Sequence, residues 1–372
     1  MSKLFKYAFS DLYDISSGIS STKDQAGHGT PFASFRTVFN NIFLPDKLPD
    51  LMEVSEKEQK IYSIKKGDIL ITRTSETVDE LAMSCVALKD YPQATYSGFV
   101  KRLRPKTEGI VYDRFMAFFL RSKYFRKVIE CNTIMTLRAS FNEDIFSFLD
   151  LYLPDYETQK RIGDLLYHME RKRENNAQIN DNLQQMAHMT FMHCFWGKPT
   201  NGTIGEILIE HEKSPIQVGQ AKNTVGSYPF FTSGDAVLRW KSSLIDGRNI
   251  FMNTGGNAGV KFYVGKAAYS TDTWCVSARD GLSDYLYLFL DSIKPELSQK
   301  FFQGTGLKHL QKPILKNRPM YIPSKDELEV FNHSVIPWLT LVSDNIRESE
   351  RLAALRDWLL PMLMNGQATI ED

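Results

Sequence analysis

The sequence writes one passage twice. "LYLPDYETQKRIGDLLYHMERKRENN" begins at Leu151 and "MYIPSKDELEVFNHSVIPWLTLVSDN" at Met320, each an apolar-Tyr-apolar-Pro exit from a strand followed by a long helix-like tract. With Pro154 set over Pro323, an offset of 169 residues holds without a gap. It places Ile162 over Phe331, Met169 over Trp338, Asn176 over Asn345, Leu183 over Leu352 and Met186 over Leu355. These positions keep heptad spacing, as a and d sites of an imperfect apolar seam with a polar centre. That pattern suits two long helices packed on each other better than a helix buried all round. At ~1.5 Å per residue, tracts of roughly 40 residues each span about 60 Å. An antiparallel pairing brings Asn176 and Asn345 close, where a buried polar contact sets the register; the alternative is that each faces solvent. Pro337 and Pro361 are expected to kink the second tract or cut it short, because proline lacks the N–H and clashes with the preceding turn.

The repetition extends beyond the helices. "GDILITRTS" at Gly67 is matched by "GRNIFMNTG" at Gly247, "QATYSGFV" at Gln93 by "KAAYSTDTW" at Lys266, "FMAFFLRS" at Phe115 by "YLYLFLDS" at Tyr285, and "GTPFASF" at Gly29 by "SYPFFTSG" at Ser227. The order is the same in both halves. The fold class expected is therefore α/β, a tandem of two globular α/β units, each followed by a long helix. The boundaries read as residues 1–155 and 199–322 for the globular units, and 156–198 and 323–372 for the helices.

Composition excludes several classes. At 372 residues, 42% hydrophobic and 24% charged, the chain is that of an ordinary folded protein of about two domains. The start "MSKLFKYAFSDLYDISS" lacks the unbroken apolar core of a signal peptide, and no apolar run approaches the roughly 18 residues of a membrane span, so a cytoplasmic protein is expected. Cys85, Cys131, Cys194 and Cys275 lie far apart with no C-x-x-C pair, which argues against a zinc site or a disulfide framework. Residues 199–322 carry 14 Lys+Arg against 10 Asp+Glu, and residues 323–372 carry 4 against 9. The second globular unit thus suits a polyanion better than the acidic last helix does.

Taken together, "GDILITRTS", "YPFFTSG", "GTGLKHL" leading into "MYIP", and the paired regions "LPDYETQKRIGDLL" and "IPSKDELEVFNHSV" resemble the DNA sequence-specificity subunit of type I restriction-modification systems. The resemblance covers nearly the whole chain and rests on order and duplication, since no single motif is a catalytic signature. It implies a non-catalytic reader of double-stranded DNA. Each globular unit would be a target recognition domain for one half of a split site, and the two helices, packed as an antiparallel coiled coil, a spacer that docks two methyltransferase subunits and recruits restriction subunits. S-adenosylmethionine, ATP and Mg²⁺ would then belong to partner subunits, with none held by this chain. The second helix departs from the first at its start, with Leu328 in place of Gln159 and Val330 in place of Arg161.

Base readout needs forked donors and amides on loops that reach the major groove. In the first unit the candidates are Arg36, Arg73 with Thr74 and Ser75, and Arg138 with Ser140. In the second they are Thr232, Ser233 and Arg239, then Asn253, Asn257 and Lys261, then Lys308 and His309. The bland alternatives are ordinary surface charges, a glycine hairpin at "NTGGNAG", and phosphate contacts that position without specifying.

Enzyme signatures are incomplete. Phe302-Gln303-Gly304-Thr305-Gly306 fits the F-x-G-x-G of some methyltransferases but follows an apolar helix instead of a strand, and no Asn-Pro-Pro-aromatic motif accompanies it. Pro49-Asp50 with Glu58-Gln59-Lys60 imitates a PD…ExK nuclease, yet its tract is charged and lacks the alternation of a core strand. A duplicated protein-binding scaffold of another defence or modification complex, without base readout, is the competing class. The Thr/Ser/Asn/Arg-rich loop tips argue against it, because protein-binding surfaces favour aromatic residues.

Overall fold

The structure, a computed structural model, describes residues 3–370 apart from 76, 78, 79, 133–138, 223, 307 and 369. Arg138 lies outside the described residues. Two compact units emerge, residues 1–172 with 351–372 and residues 173–350, so the division falls inside the long helices instead of at their ends.

In the first unit a four-stranded antiparallel sheet runs in the spatial order Tyr13–Ser17, Val100–Pro105, Ile69–Thr72, Ser84–Val86. A smaller sheet sets Ala26–Ala33 between antiparallel Asp50–Met52 and parallel Thr95–Tyr96. The second unit repeats both. Its larger sheet is Leu208–Glu210, Thr273–Ala278, Arg248–Asn253, Val260–Val264, all antiparallel. Its smaller sheet sets Tyr228–Phe231 between antiparallel Val237–Trp240 and parallel Ala268–Tyr269. Every passage pair matched in the sequence occupies equivalent elements. Gly67 and Gly247 open the central strands at φ of +85° and +99°, a left-handed turn that side chains resist.

Helices Asp113–Phe119 and Lys123–Asn132 close the first core around Phe9, Phe115, Phe119 and Phe125. Helix Ser283–Ser292 closes the second around Tyr285, Leu286 and Leu290. The long helices are Tyr156–Phe195 and Lys325–Met364. Within the first unit Ile162 and Leu166 share a core with Leu363 and Met364, and Arg356 pairs with Glu170 at 2.8 Å. Within the second, Ala187, Phe191 and Phe195 meet Phe331, Val335 and Leu339, and Lys198 pairs with Glu327 at 2.6 Å. Partner numbers fall as helix numbers rise, so the pairing is antiparallel in each unit.

Two expectations need correction, the row of the seam that faces inward and the effect of the prolines, while the polar centre is borne out. The inward face joins each a position to the residue four later, giving Ile162 with Leu166 and Phe331 with Val335, so the d row turns out: Met186 and Leu355 are 45% and 42% exposed. Met169 and Trp338 stay packed against their cores, while Leu183 and Leu352 are half-buried. Asn176 and Asn345 are buried and in the polar contact expected of them, the Asn176 side chain donating to the Asn345 carbonyl at 3.5 Å. Asn176 donates to Glu348 Oε2 at 2.9 Å, and Asn345 donates to Asn180 Oδ1 at 2.8 Å. Neither Pro337 nor Pro361 cuts the second tract short, since both lie within one unbroken helix. Both sit on its exposed side, as do His333 and Asp357 four residues back, so each carbonyl that loses its helical partner is open to water. Among the described residues no helix is long and apolar enough to cross a membrane.

Glu210 shows how strand ends are fastened in the second unit. Its carboxylate accepts from Lys312 at 2.8 Å, Lys316 at 2.7 Å and the Trp274 indole at 2.7 Å, tying the sheet to helix Lys312–Lys316. Burial alone would raise its pKa, but these donors outweigh that and bring it down to about 2 from 4.5. A lowered carboxyl pKa stabilises the fold above the unfolded value and loses that contribution as pH falls through the folded one. Acid titration is expected to drain stability from the second unit between pH 4.5 and about 2, and Glu210→Gln to flatten that stretch of the curve in pH-resolved urea unfolding.

Candidate nucleic-acid interface

In the first unit, backbone hydrogen bonds gather separate loops at one end of the larger sheet. The Arg73 N–H donates to the Phe99 carbonyl at 2.8 Å, and the Arg73 carbonyl accepts from Phe141 N at 2.7 Å. Thr74 and Ser75 pair with Ser140 and Ala139. Ser97 N donates to the Ala33 carbonyl at 3.1 Å, one residue before Ser34 caps the short helix Phe35–Asn40 that carries Arg36. Glycine permits this closeness: a Cβ on Gly18 would lie 2.2 Å from the Ser97 carbonyl oxygen. Arg36, Arg73, Thr74, Ser75 and Ser140 therefore belong to one region. The Arg36 and Arg73 side chains are exposed, with no ion pair or hydrogen bond among the described residues.

The second unit builds the corresponding end from Thr254, Asp272 and the segment 308–310. Thr254 N donates to the Asp272 carbonyl at 3.3 Å, repeating the Arg73–Phe99 bond. Gly256 N donates to the Lys308 carbonyl at 2.9 Å, and Leu310 N donates to the Thr254 carbonyl at 3.0 Å. Asn257, Lys308 and His309 are exposed there.

Five other candidates have work inside the protein. Thr232 is buried, and its hydroxyl donates to the Ala236 carbonyl at 2.7 Å. The Ser233 hydroxyl donates to the Asp272 carbonyl. Asn253 is buried and donates to the Asn257 carbonyl at 3.0 Å. Arg239 is held by Glu350 at 3.0 Å. Lys261 donates to the Thr232 carbonyl at 2.9 Å and to that of Gly234, and burial lowers its pKa. These groups shape the loops that carry the exposed ones.

Two exposed tip residues escaped the sequence reading. Phe99 is 63% exposed and Asp272 is exposed. Both stand three residues after the shared tyrosine in "YSGFV" and "YSTDT", and that alignment was the signal available for finding them.

The nuclease-like carboxylates are engaged locally. Glu58 closes a capping box on Ser55, at 2.8 Å to its backbone N–H, and Asp50 accepts from Thr37 at 3.3 Å. Among the described residues no group of three or more His, Cys, Asp and Glu side chains is placed to hold a metal. Phe302 of the F-x-G-x-G stretch is buried and pairs with Leu310 in a two-stranded ladder.

The long helices carry their own exposed apolar groups. Met186 and Met189 on the first, and Leu355 and Trp358 on the second, are all exposed. They coincide at the offset of the repeat.

A family profile described as the type I restriction modification DNA specificity domain matches residues 6–185 and 196–334. The chain is 30% identical over 189 residues to the type I restriction enzyme HindI specificity subunit of Haemophilus influenzae, across 50% of this chain but only 39% of that relative's length. It is 21% identical over 369 residues to the MjaIX specificity subunit of Methanocaldococcus jannaschii, across 87% of this chain and 82% of that one. The solved S subunit of the type I restriction-modification system from M. genitalium superposes with a TM-score of 0.69 over 97% of this chain and 96% of that one, at 13% identity, and so has the same fold.

Proposed function

Since the chain belongs to the family of type I restriction-modification DNA specificity subunits, we propose that each of its units reads one half of a split, asymmetric site in double-stranded DNA. The long helices fix the spacing between the halves and seat two methyltransferase subunits, through which restriction subunits join. The chain itself performs no chemistry; S-adenosylmethionine, ATP and Mg²⁺ act in the partners. The observation that carries this reading is the pair of equivalent loop ends with unlike exposed residues: Arg36, Arg73 and Phe99 in one, Asn257, Lys308, His309 and Asp272 in the other. Equivalent frameworks with different side chains suit half-sites of different sequence.

Two equivalent seats fit the helices for a similar reason. Met186 and Met189 recur at the repeat offset as Leu355 and Trp358, all exposed, so the same partner surface has a place to bury apolar area twice. Met186→Asp with Met189→Asp is expected to abolish co-purification of one of the two methyltransferase subunits, shifting the complex mass by one subunit in native mass spectrometry. Thermal unfolding of the isolated chain should be unchanged.

The test of the reading is methylome mapping. The chain is co-expressed with its methyltransferase partner, and modified positions are read by long-read sequencing with and without this gene. One split motif with unlike halves and constant spacing, present only with the gene, supports the reading. Methylation indifferent to the gene, or a contiguous motif, points instead to a scaffold without base readout.

A further inference from the structure

The residue at the equivalent tip of each unit is clamped through its backbone and left free at its side chain. The Phe99 carbonyl accepts from Arg73 N at 2.8 Å, and the Phe99 N–H donates to Ser97 Oγ at 3.2 Å. Next to it, Gly98 N donates to the Ile19 carbonyl at 2.7 Å. The Asp272 carbonyl accepts from Thr254 N at 3.3 Å, from Thr254 Oγ1 at 2.6 Å and from the Ser233 hydroxyl. Neither side chain has a partner among the described residues. A phenyl ring 63% exposed gains nothing from water. A carboxylate at a DNA-reading tip is repelled by phosphate, so only a base edge offers it a favourable contact.

We propose, resting on the function stated above, that Phe99 and Asp272 are specificity-determining residues. Phe99 packs against the C5-methyl group of a thymine in one half-site, and Asp272 accepts a hydrogen bond from the N4 amino group of a cytosine in the other. The major groove explains both assignments. Thymine carries its only apolar protrusion, and a ring with no donor or acceptor leaves the polar edges of other bases unpaired. On its own major-groove edge cytosine sets its amino donor beside C5–H, whereas the adenine amino group lies beside that base's own N7 acceptor, which repels a carboxylate. The fixed backbone makes each tip selective, because a rigid residue loses little freedom on binding.

The complex with methyltransferase subunits is titrated onto duplexes carrying the mapped motif. Each thymine of the half-sites is replaced in turn by deoxyuridine, which removes only the methyl group. One such replacement, in one half-site, is expected to weaken wild-type binding roughly fourfold, the worth of one buried methyl-sized group. Phe99→Ala should bind the dT and dU duplexes alike. Asp272→Asn should lose about tenfold in discrimination against replacement of one C·G pair in the other half-site, leaving the first half unaffected. Wild-type indifference to every dU overturns the thymine contact. Uniform weakening by Asp272→Asn across all sequences overturns the cytosine contact. If no gene-dependent split motif exists, the functional reading itself fails; an intact motif insensitive to both variants sinks only the present assignment.

Discussion

Gln159→Leu is expected to destabilise the first unit by on the order of 3 kcal/mol or more. The amide is 1% exposed and satisfies three backbone groups at once: it accepts from Tyr112 N at 2.9 Å and donates to the carbonyls of Ile110 at 3.0 Å and Pro154 at 2.9 Å. A leucine fills the volume but leaves those groups without partners in a buried place, each at a cost of about 1–3 kcal/mol. The second unit supplies the control. Leu328 stands at the equivalent position and is packed in an apolar core, so the reciprocal Leu328→Gln should also destabilise, by burying an amide with nothing to meet it. Urea unfolding, with hydrogen exchange to assign the loss to one unit, checks both. A neutral Gln159→Leu would show that the amide only fills space.

Arg248→Leu should cost the second unit about 3–5 kcal/mol near neutral pH. Arg248 donates to Asp284 Oδ2 at 2.6 Å and to Oδ1, and reaches Thr340 Oγ1 at 2.8 Å and the Ile336 carbonyl at 3.3 Å on the second long helix. The Asp284 side chain is 1% exposed. Burial already raises its pKa against the opposing pull of Arg248, and removing the cation must raise it further. A carboxyl whose folded pKa lies above its unfolded one penalises the fold at high pH, and the penalty fades as pH falls through the folded value. The variant should therefore regain more stability on acidification than wild type does, and adding Asp284→Asn should recover much of the loss. Equal losses at every pH would remove the unpaired carboxylate as the cause.

The topology was legible because the chain states it twice. Matched passages such as "QATYSGFV" and "KAAYSTDTW" fix which strands correspond, and one buried residue in each, Tyr96 or Tyr269, marks the position. Helix existence and helix-on-helix packing followed from the seam, whereas the antiparallel sense was implied by the family resemblance, because a heptad seam carries no direction. Which row faces inward did not, because spacings of three and four residues both keep a heptad, and only packing chooses between them. Pro337 misled for a related reason: a proline signals a missing bond, while its exposure decides whether water can supply the replacement.

The site was legible as a region and opaque as a set of residues. Polar side chains at loop ends are equally suited to holding the loop and to touching a ligand. Thr232 and Lys261 do the first, whereas Asn257 and Lys308 are left free. Arg104 with Asp68 in one unit, and Arg248 with Asp284 in the other, show that charge pairs were not inherited with the fold. Asp68 and Arg248 are matched in the repeat but carry opposite charges, and their partners Arg104 and Asp284 stand on different elements, so the repeat gave no warning of either pair.

The unit built from residues 1–172 and 351–372 places the order of synthesis against the order of assembly. The second unit is continuous in sequence and has all its parts once residue 350 leaves the ribosome. The first must wait with Ile162 and Leu166 uncovered until Leu363 and Met364 arrive to share their core. A nascent chain therefore completes its later-made unit first, and carries an exposed apolar face on its earlier-made one for the time needed to translate some 190 further residues. A premature stop just after residue 350 would injure the half of the protein farthest from it in sequence.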